Sequence, residues 1–557
     1  MRKFLIALCF GAIISNSSFA ADGFLKGKIL KIDMKDVVSE KGGSSFSIGL
    51  GGLHTGSSVS LLSLERALDK AADDSRIAMI YLNLDHFSAG MAASEEVREY
   101  FKRFSAKGKP VVAWAASLGN GSYYLGSVAD RLFLHPQGGG SLNGLGSTQY
   151  FVKDLLDKLE IDVQLIRHGK YKSAGEMYIR NDISPENRQQ YEALLGSIWG
   201  SFLSDIAESR GVSTEQLNAW TDALALSTAK TWLETGLVDG LKYRDEMEDY
   251  LCHLFGTTDA ERVETIGIKD YIKDLRKGPA KKKIAVIYAD GEIVRSGGDI
   301  VGEKLARTIA GVRADSTVKA VVFRVNSPGG EVVAADMIRR EIELLGKVKP
   351  VVASYGAYAA SGGYLISAGC RKIYVDNATL TGSIGVFGLV PSFGRAVRKN
   401  LHVNLVNVGT NAHSGMGTGV QPLSDEEVAW YQEEIEGIYD TFVGVVAEGR
   451  SLSKEAVDEI AQGRVWSGKD ALGIGLADEK GTLLDAIAYT ADLVKLSNYR
   501  IACYPEKLSF FDQIRGKDDD AKEPLVNLKV KQYVQPGFTA VARMPYFTID
   551  PFNPVEL

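Results

Sequence analysis

Cysteine is scarce in this chain: four residues in 557, at positions 9, 252, 370 and 503. Their wide, irregular spacing excludes a dense disulfide framework and a cysteine-ligated metal site. Cys370 stands just before an expected strand and reads as a small core residue. Histidine is scarce as well, with seven residues, and no Asp/Glu/His grouping reads as a metal site. No long basic run occurs and the formal charge is -6, so nucleic acid is not an expected partner. No phosphate-cradling loop ending in Gly-Lys-Ser/Thr is present, and no cofactor is expected. After the first twenty residues, no apolar run approaches the roughly 20 residues of a membrane-spanning helix.

What is present begins with a leader. Arg2 and Lys3 precede an apolar run from Phe4 to Ile14. Ser18-Phe19-Ala20 then puts small residues at the -3 and -1 positions of a cleavage site before Ala21. Residues 1–20 are read as an export signal, either removed or kept as an anchor. Cys9 lies inside it and is not preceded by a small residue, which argues against a lipoprotein signal. The rest, at 45% apolar and 24% charged over the whole chain, is ordinary globular material too long for one core.

The chain repeats itself. Lys109-Pro110-Val111-Val112-Ala113 recurs 240 positions on as Lys349-Pro350-Val351-Val352-Ala353. Tyr124-Leu125 recurs at the same offset as Tyr364-Leu365, and Gly236-Leu237-Val238-Asp239 recurs as Gly475-Leu476-Ala477-Asp478. We divide the chain into a first copy (25–270), a basic Gly/Pro linker (276–283), a second copy (284–495) and a tail (498–557) without counterpart. In the second copy, strands are expected at Lys283–Ala289, Ala320–Val325, Val351–Ser354 and Lys372–Val375. Helices are expected at Gly302–Ala314, Val332–Leu345, Tyr364–Ala368 and Asp425–Gly449. The second of these has apolar spacing at Val333, Met337, Ile338, Ile342 and Leu345. This alternation predicts an α/β unit with a largely parallel sheet in each copy. Gly42 to Ser58 is read as a Gly/Ser-rich loop, either a surface loop or the lining of a substrate opening. The tail holds a charged patch, Lys517 to Glu523, and aromatics such as Tyr533 and Phe547, with no readable role.

Two glycine-rich stretches of the second copy carry the chemistry. Gly356-Ala357-Tyr358-Ala359-Ala360-Ser361-Gly362-Gly363-Tyr364 follows a short strand. Ser361 is expected at a strand-to-helix turn with its Oγ clear of the backbone, and the glycines let a substrate carbonyl approach main-chain N–H groups. In Asn326-Ser327-Pro328-Gly329-Gly330, Pro328 fixes φ and the glycine amides are expected near a helix N-terminus, which favours developing negative charge.

A serine nucleophile needs a base. The first copy has Gly121 where the second has Ser361, and Asp85-His86-Phe87-Ser88-Ala89 where the second has the glycine loop. It does carry Lys172, opposite Ala412. Each copy lacks what the other supplies, and a site shared between them explains this. A lysine base must be neutral, so its pKa must fall from about 10.4 through burial, with Arg167, Lys170 and Arg180 adding repulsion. The rival base is His413 in a Ser-His-Asp arrangement. Ser383, in Leu380-Thr381-Gly382-Ser383-Ile384-Gly385, is either a tight turn or a hydroxyl that orients the lysine.

These residues together resemble the signal peptide peptidase A (protease IV) family. The resemblance rests on the loop at 326–330, the turn at 359–364, the segment 380–385, and Tyr171-Lys172-Ser173-Ala174 with Glu176 and Ile179-Arg180-Asn181-Asp182. It covers about residues 25 to 495 in a two-copy form. It implies two tandem crotonase-like (Clp-protease-like) domains and a serine endopeptidase with a Ser/Lys dyad. Ser361 would be the nucleophile and Lys172 the general base. Gly330 and Gly362 amides would form the oxyanion hole, with Gly329 as an alternative. It also implies peptide substrates, namely cleaved apolar signal peptides, and a homo-oligomer (a tetramer) at the outer, periplasmic face of the cytoplasmic membrane. The rival activities are a crotonase-type acyl-CoA enzyme, disfavoured by export, and a non-catalytic oligomeric scaffold.

Overall fold

Short β-branched and aliphatic runs alternate with helices, and that alternation builds both halves. The computed structural model describes residues 24–33, 38–49, 52–85, 89–275, 280–505 and 540–543. The leader, His86, the linker residues 276–279 and the tail's 517–523, Tyr533 and Phe547 lie outside them. The first half contributes β1 (Lys28–Asp33), β2 (Gly43–Gly49), β3 (Gly52–Ser60), α1 (Leu61–Asp73), β4 (Ile77–Asn83), α2 (Met91–Ala106), β5 (Val111–Ala115), α3 (Asn120–Gly126), β6 (Arg131–Leu134), β7 (Asp162–His168) and α4 (Pro185–Arg210). The second half contributes β8 (Lys283–Asp290), α5 (Gly302–Ala314), β9 (Val318–Ser327), β10 (Gly329–Glu331), α6 (Val332–Gly346), β11 (Val351–Ala360), α7 (Gly362–Leu365), β12 (Leu380–Gly382), β13 (Val386–Ser392), α8 (Asp425–Arg450), α9 (Leu483–Leu493) and β14 (Arg500–Tyr504). A last strand, β15 (Ala540–Arg543), comes from the tail.

The helix starts obey local chemistry. Ser60 accepts from the Ser63 amide at the start of α1, and Ser184 accepts from Asn187 with Pro185 at the first helical position of α4. Ser424 and Glu427 form a reciprocal capping box at the start of α8. Among the described residues no helix is long and apolar enough to cross a membrane.

Each half is an α/β unit around a parallel sheet. In the first, β1, β4, β5 and β6 lie side by side, flanked by short strands at Thr265–Gly267 and Gly240–Leu241, all parallel. In the second, the order is β12, β11, β9, β8, β14, with an antiparallel edge strand, Val465–Ser467, beside β12. The α5 and α6 helices cover one face over Ile287, Val321 and Phe323. On the other face Ile284, Val286 and Val322 pack on α9 through Leu483 and Ile487, joined by Leu62 of α1. That last contact is where the two halves meet.

The meeting surface also holds charge. Arg324, only 1% exposed, pairs with Glu96 of α2 at 2.6 Å and with Glu40 at 2.9 Å. It also donates to Ser354 Oγ and to the Tyr355 carbonyl. Glu95 accepts from the Asn377 and Ala378 amides, and Glu96 from the Leu483 amide. The first half thus terminates main-chain groups of the second.

A third sheet joins the halves more directly. β7 of the first half pairs antiparallel with β13 of the second, His168 opposite Val386 and Asp162 opposite Ser392. The sheet continues from β13 through β15 to β10 and two short strands at Ile293–Val294 and Ile300–Val301.

Four sequence expectations need correction. Residues 43–60 form the antiparallel hairpin β2–β3, not an irregular loop. Val333 and Met337 are about half exposed, and α6 buries Ala334 and Ala335 with Ile338, Ile342 and Leu345 instead. Alanines let the helix sit close to its neighbours, so the larger side chains turn outward. β11 runs on to Ala360, so Gly356–Ala360 is strand rather than turn, because β9 and β12 offer it ladder partners. Gly329 and Gly330 lie in the short strand β10, and the helix starts only at Val332.

Candidate active site

Ser361 sits where β11 ends and α7 begins, with φ 55° and ψ -121°. A non-glycine residue at positive φ is strained. One ladder and its extension hold it there: Ala360 pairs with Gly382 of β12, and the Ser361 amide donates to the Gly382 carbonyl at 2.8 Å. Ser383, next along the chain from Gly382, also has positive φ, at 50°. Its amide donates to the Arg464 carbonyl at 2.7 Å.

Lys172 reaches this point from the other half. The pairing of β7 with β13 delivers the chain after His168 into the second half. The Tyr171 amide then donates to the Gln462 carbonyl at 2.9 Å. Arg167 clamps the Lys172 carbonyl at 2.7 Å and pairs with buried Glu176, which also accepts from the Ser184 hydroxyl. Gly463 lies against the lysine stem, where a Cβ would stand 2.6 Å from Lys172 Cβ.

Lys172 Nζ lies 2.9 Å from Ser361 Oγ, 3.0 Å from the Ser383 carbonyl and 3.1 Å from Ser383 Oγ. All three residues are fully buried. Burial holds the Lys172 amine well below the usual lysine range. Of the neighbouring cations, Arg167 is paired with Glu176, Lys170 lies over the Tyr171 ring and Arg180 donates to the Asp182 carbonyl. A neutral amine has two N–H donors and one lone pair. Here the two donors find the Ser383 oxygens, and the lone pair is left for the Ser361 hydroxyl. The arrangement can take a proton from Ser361 as its oxygen attacks a carbonyl.

The glycine positions pack tightly. A Cβ on Gly363 would stand 2.4 Å from the Ser327 carbonyl, and one on Gly330 would stand 1.8 Å from the Ile293 carbonyl. No side chain fits at either. The Gly329 amide donates to Ser327 Oγ at 3.2 Å. Gly362 is the first residue of α7, so its amide has no acceptor inside the helix. His413 is exposed and contacts Glu427 and Glu426. Among the described residues no histidine hydrogen-bonds Ser361 or Lys172.

The Peptidase family S49 model matches residues 103–254 and 343–497, one segment in each half. The chain belongs to peptidase family S49. It is a serine peptidase with two Clp-protease-like units in tandem. Protease 4 of Haemophilus influenzae is 35% identical over 80% of this chain and 75% of its own length. Protease 4 of Salmonella typhi is 35% identical over 90% of this chain and 83% of its own. The chloroplastic serine protease SPPA of Arabidopsis thaliana is 34% identical over 83% of this chain and 68% of its own.

Sequence reasoning in this S49 chain missed the parts that hold the lysine. Gly463 and Gln462 carry no signal beyond a glycine in a loop. Arg167 and Glu176 are visible beside Lys172, but their pairing across the turn is not.

Proposed function

We propose that this S49 peptidase is an exported endopeptidase whose single site is composed by both halves of one chain. Ser361 attacks the scissile carbonyl carbon, and its proton passes to Lys172 Nζ. Amides of Gly330 and Gly362 face the developing oxyanion. Lys172 returns the proton to the leaving amine, and an acyl-enzyme ester on Ser361 remains. Water then loses a proton to Lys172, attacks the ester and releases the carboxylate product. Ser383 orients the amine. The observation that carries this reading is the 2.9 Å contact between a buried lysine amine and a buried, strained serine.

The substrates are cleaved apolar signal peptides at the periplasmic face of the cytoplasmic membrane. Full burial of Ser361 supports an extended peptide over any folded protein. The test is digestion of a leucine-rich signal peptide in detergent micelles, followed by mass spectrometry. Cuts inside the apolar stretch are expected from the wild type, and none from Ser361→Ala. Equal cutting by both proteins overturns the reading.

Self-association is supported by two segments that, among the described residues, join no sheet within the single chain. His402–Val408 is the repeat counterpart of β7, yet it lies in no sheet and exposes Val406 (82%) and Val408 (89%). Gly146–Phe151, the counterpart of β13, lies in no sheet either and exposes Tyr150. A second copy lets 402–408 of one chain pair with 146–151 of the next, as β7 pairs with β13. That junction carries Ala412 and Gly121 in place of lysine and serine, so one active site arises per chain. Leu405→Asp with Val406→Asp is expected to convert an oligomer into monomers by sedimentation at micromolar concentration. An unchanged oligomer, or a monomeric wild type, contradicts it.

A further inference from the structure

β10 and β13 flank the serine but do not touch each other. Between them runs β15, four residues of the tail, antiparallel to both. Gly329 stands opposite Arg543, Gly330 opposite Ala542, and Glu331 opposite Val541. On the other side Phe387 stands opposite Val541 and Gly388 opposite Ala540. Gly330 also pairs with Ile293 of the neighbouring strand. Without β15 the sheet has a gap one strand wide. Its two walls are the edges of β10, which holds the glycine loop, and of β13, which leads from Ser383.

Such a gap reads a main chain rather than particular side chains. Two facing edges offer N–H and C=O groups to any extended segment, which is strand addition on both sides at once. An incoming peptide in this gap passes Gly330, and the Ser327–Gly330 loop packs on Gly363, two residues from Ser361. A scissile carbonyl is brought to the serine by the same register that pairs the strand. The gap is therefore the seat of the substrate strand, and the tail already sits in it.

We propose that the tail segment Ala540–Arg543 is a tethered occupant of the substrate seat, which a substrate peptide must displace. This rests on the peptidase reading above. Covalent attachment to the same chain keeps the segment near its seat at an effective concentration on the order of 1 mM. A ladder of a few main-chain hydrogen bonds is individually weak, so the occupant exchanges. It raises the apparent KM without changing kcat, because a peptide that has displaced it meets an unaltered Ser361 and Lys172. Sequence selectivity follows as well: only peptides that pair better than the tail win the seat.

The test uses the full chain. Val541 is the tail residue registered in both ladders, and proline there removes an N–H and cannot continue a central strand. Val541→Pro is expected to lower KM for a short unstructured peptide about tenfold with kcat unchanged, since a tail held with a Kd of roughly 0.1 mM at an effective 1 mM masks about nine sites in ten. A synthetic peptide spanning Gly537 to Phe547 is expected to inhibit Val541→Pro competitively, and its proline counterpart is not. Unchanged KM in Val541→Pro, or no inhibition by the added peptide, overturns the tail proposal while the wild type's own turnover upholds the peptidase reading. Absence of turnover in both proteins, with Ser361 unreactive to a serine probe, instead overturns that reading and the tail proposal with it.

Discussion

Lys172→Met is expected to lower kcat by about 10⁴- to 10⁶-fold and to leave the fold intact, matching Ser361→Ala within error. Removing either member of a unit that acts together costs nearly as much as removing both. The magnitude follows from the contact: among the described residues Lys172 is the one basic side chain on Ser361 Oγ, and no histidine stands by to replace it. Methionine is the informative choice because it fills a fully buried site with an unbranched apolar chain of similar length. It also removes a cost. An amine held well below the usual lysine range by burial is protonated in the unfolded chain and neutral in the folded one. The unfolded state then binds more protons, and wild-type stability rises with pH. Lys172→Met relieves that penalty, so its Tm is expected at or above the wild type's, with the larger gain toward acid. Steady-state kinetics with calorimetry at two pH values checks both parts. A variant that keeps activity, or that loses it only by unfolding, counts against the assignment.

The second large effect lies away from the serine. Arg324→Ala is expected to destabilise the protein by about 3–5 kcal/mol, the usual cost of breaking a buried ion pair. Its loss strands Glu96 and Glu40 in the surface between the halves. Their surroundings are already hostile to charge. Burial pushes Glu95 up to about 7, and burial first, then Glu96, pushes Glu65 and Asp376 well above the carboxylate range. Arg324 is among the groups that oppose those rises in Glu65 and Asp376. Without it the folded state holds protons that the unfolded state has released at neutral pH, so stability falls as pH rises. The Tm deficit of Arg324→Ala is therefore expected to be larger at about pH 8 than at about pH 5.5. An equal deficit at both pH values would show that lost packing, not stranded charge, is the cause.

The second half was largely legible because its strands are β-branched runs and its helices start at serines and glycines. The helices expected at 302–314 and 425–449 fall on α5 and α8 almost residue for residue. Ser361 stood out by its glycine-rich turn, and the repeat pointed to Lys172, with Ala412 opposite it, as the residue that would meet it; the two side chains lie 2.9 Å apart. What stayed hidden needs three dimensions. Nothing in the sequence Asp162-Val163-Gln164-Leu165-Ile166-Arg167-His168 says that it joins a sheet of the other half. Val333 and Met337 looked like core because they are large, whereas close helix packing favoured Ala334 and Ala335. The tail offered no periodicity over Ala540–Arg543, since a strand held on both edges by main-chain bonds needs no pattern of its own.

The most direct test of the composite site is the rate at which a fluorophosphonate modifies Ser361, followed from about pH 5 to pH 10 in the wild type and in Lys172→Met. Only a base on the serine makes that rate titrate. The account predicts that the wild-type rate climbs to a plateau with an apparent pKa well below the usual 10.4 of lysine, and that Lys172→Met reacts slowly with no such titration. Equal rates and the same pH profile in the two proteins would contradict it.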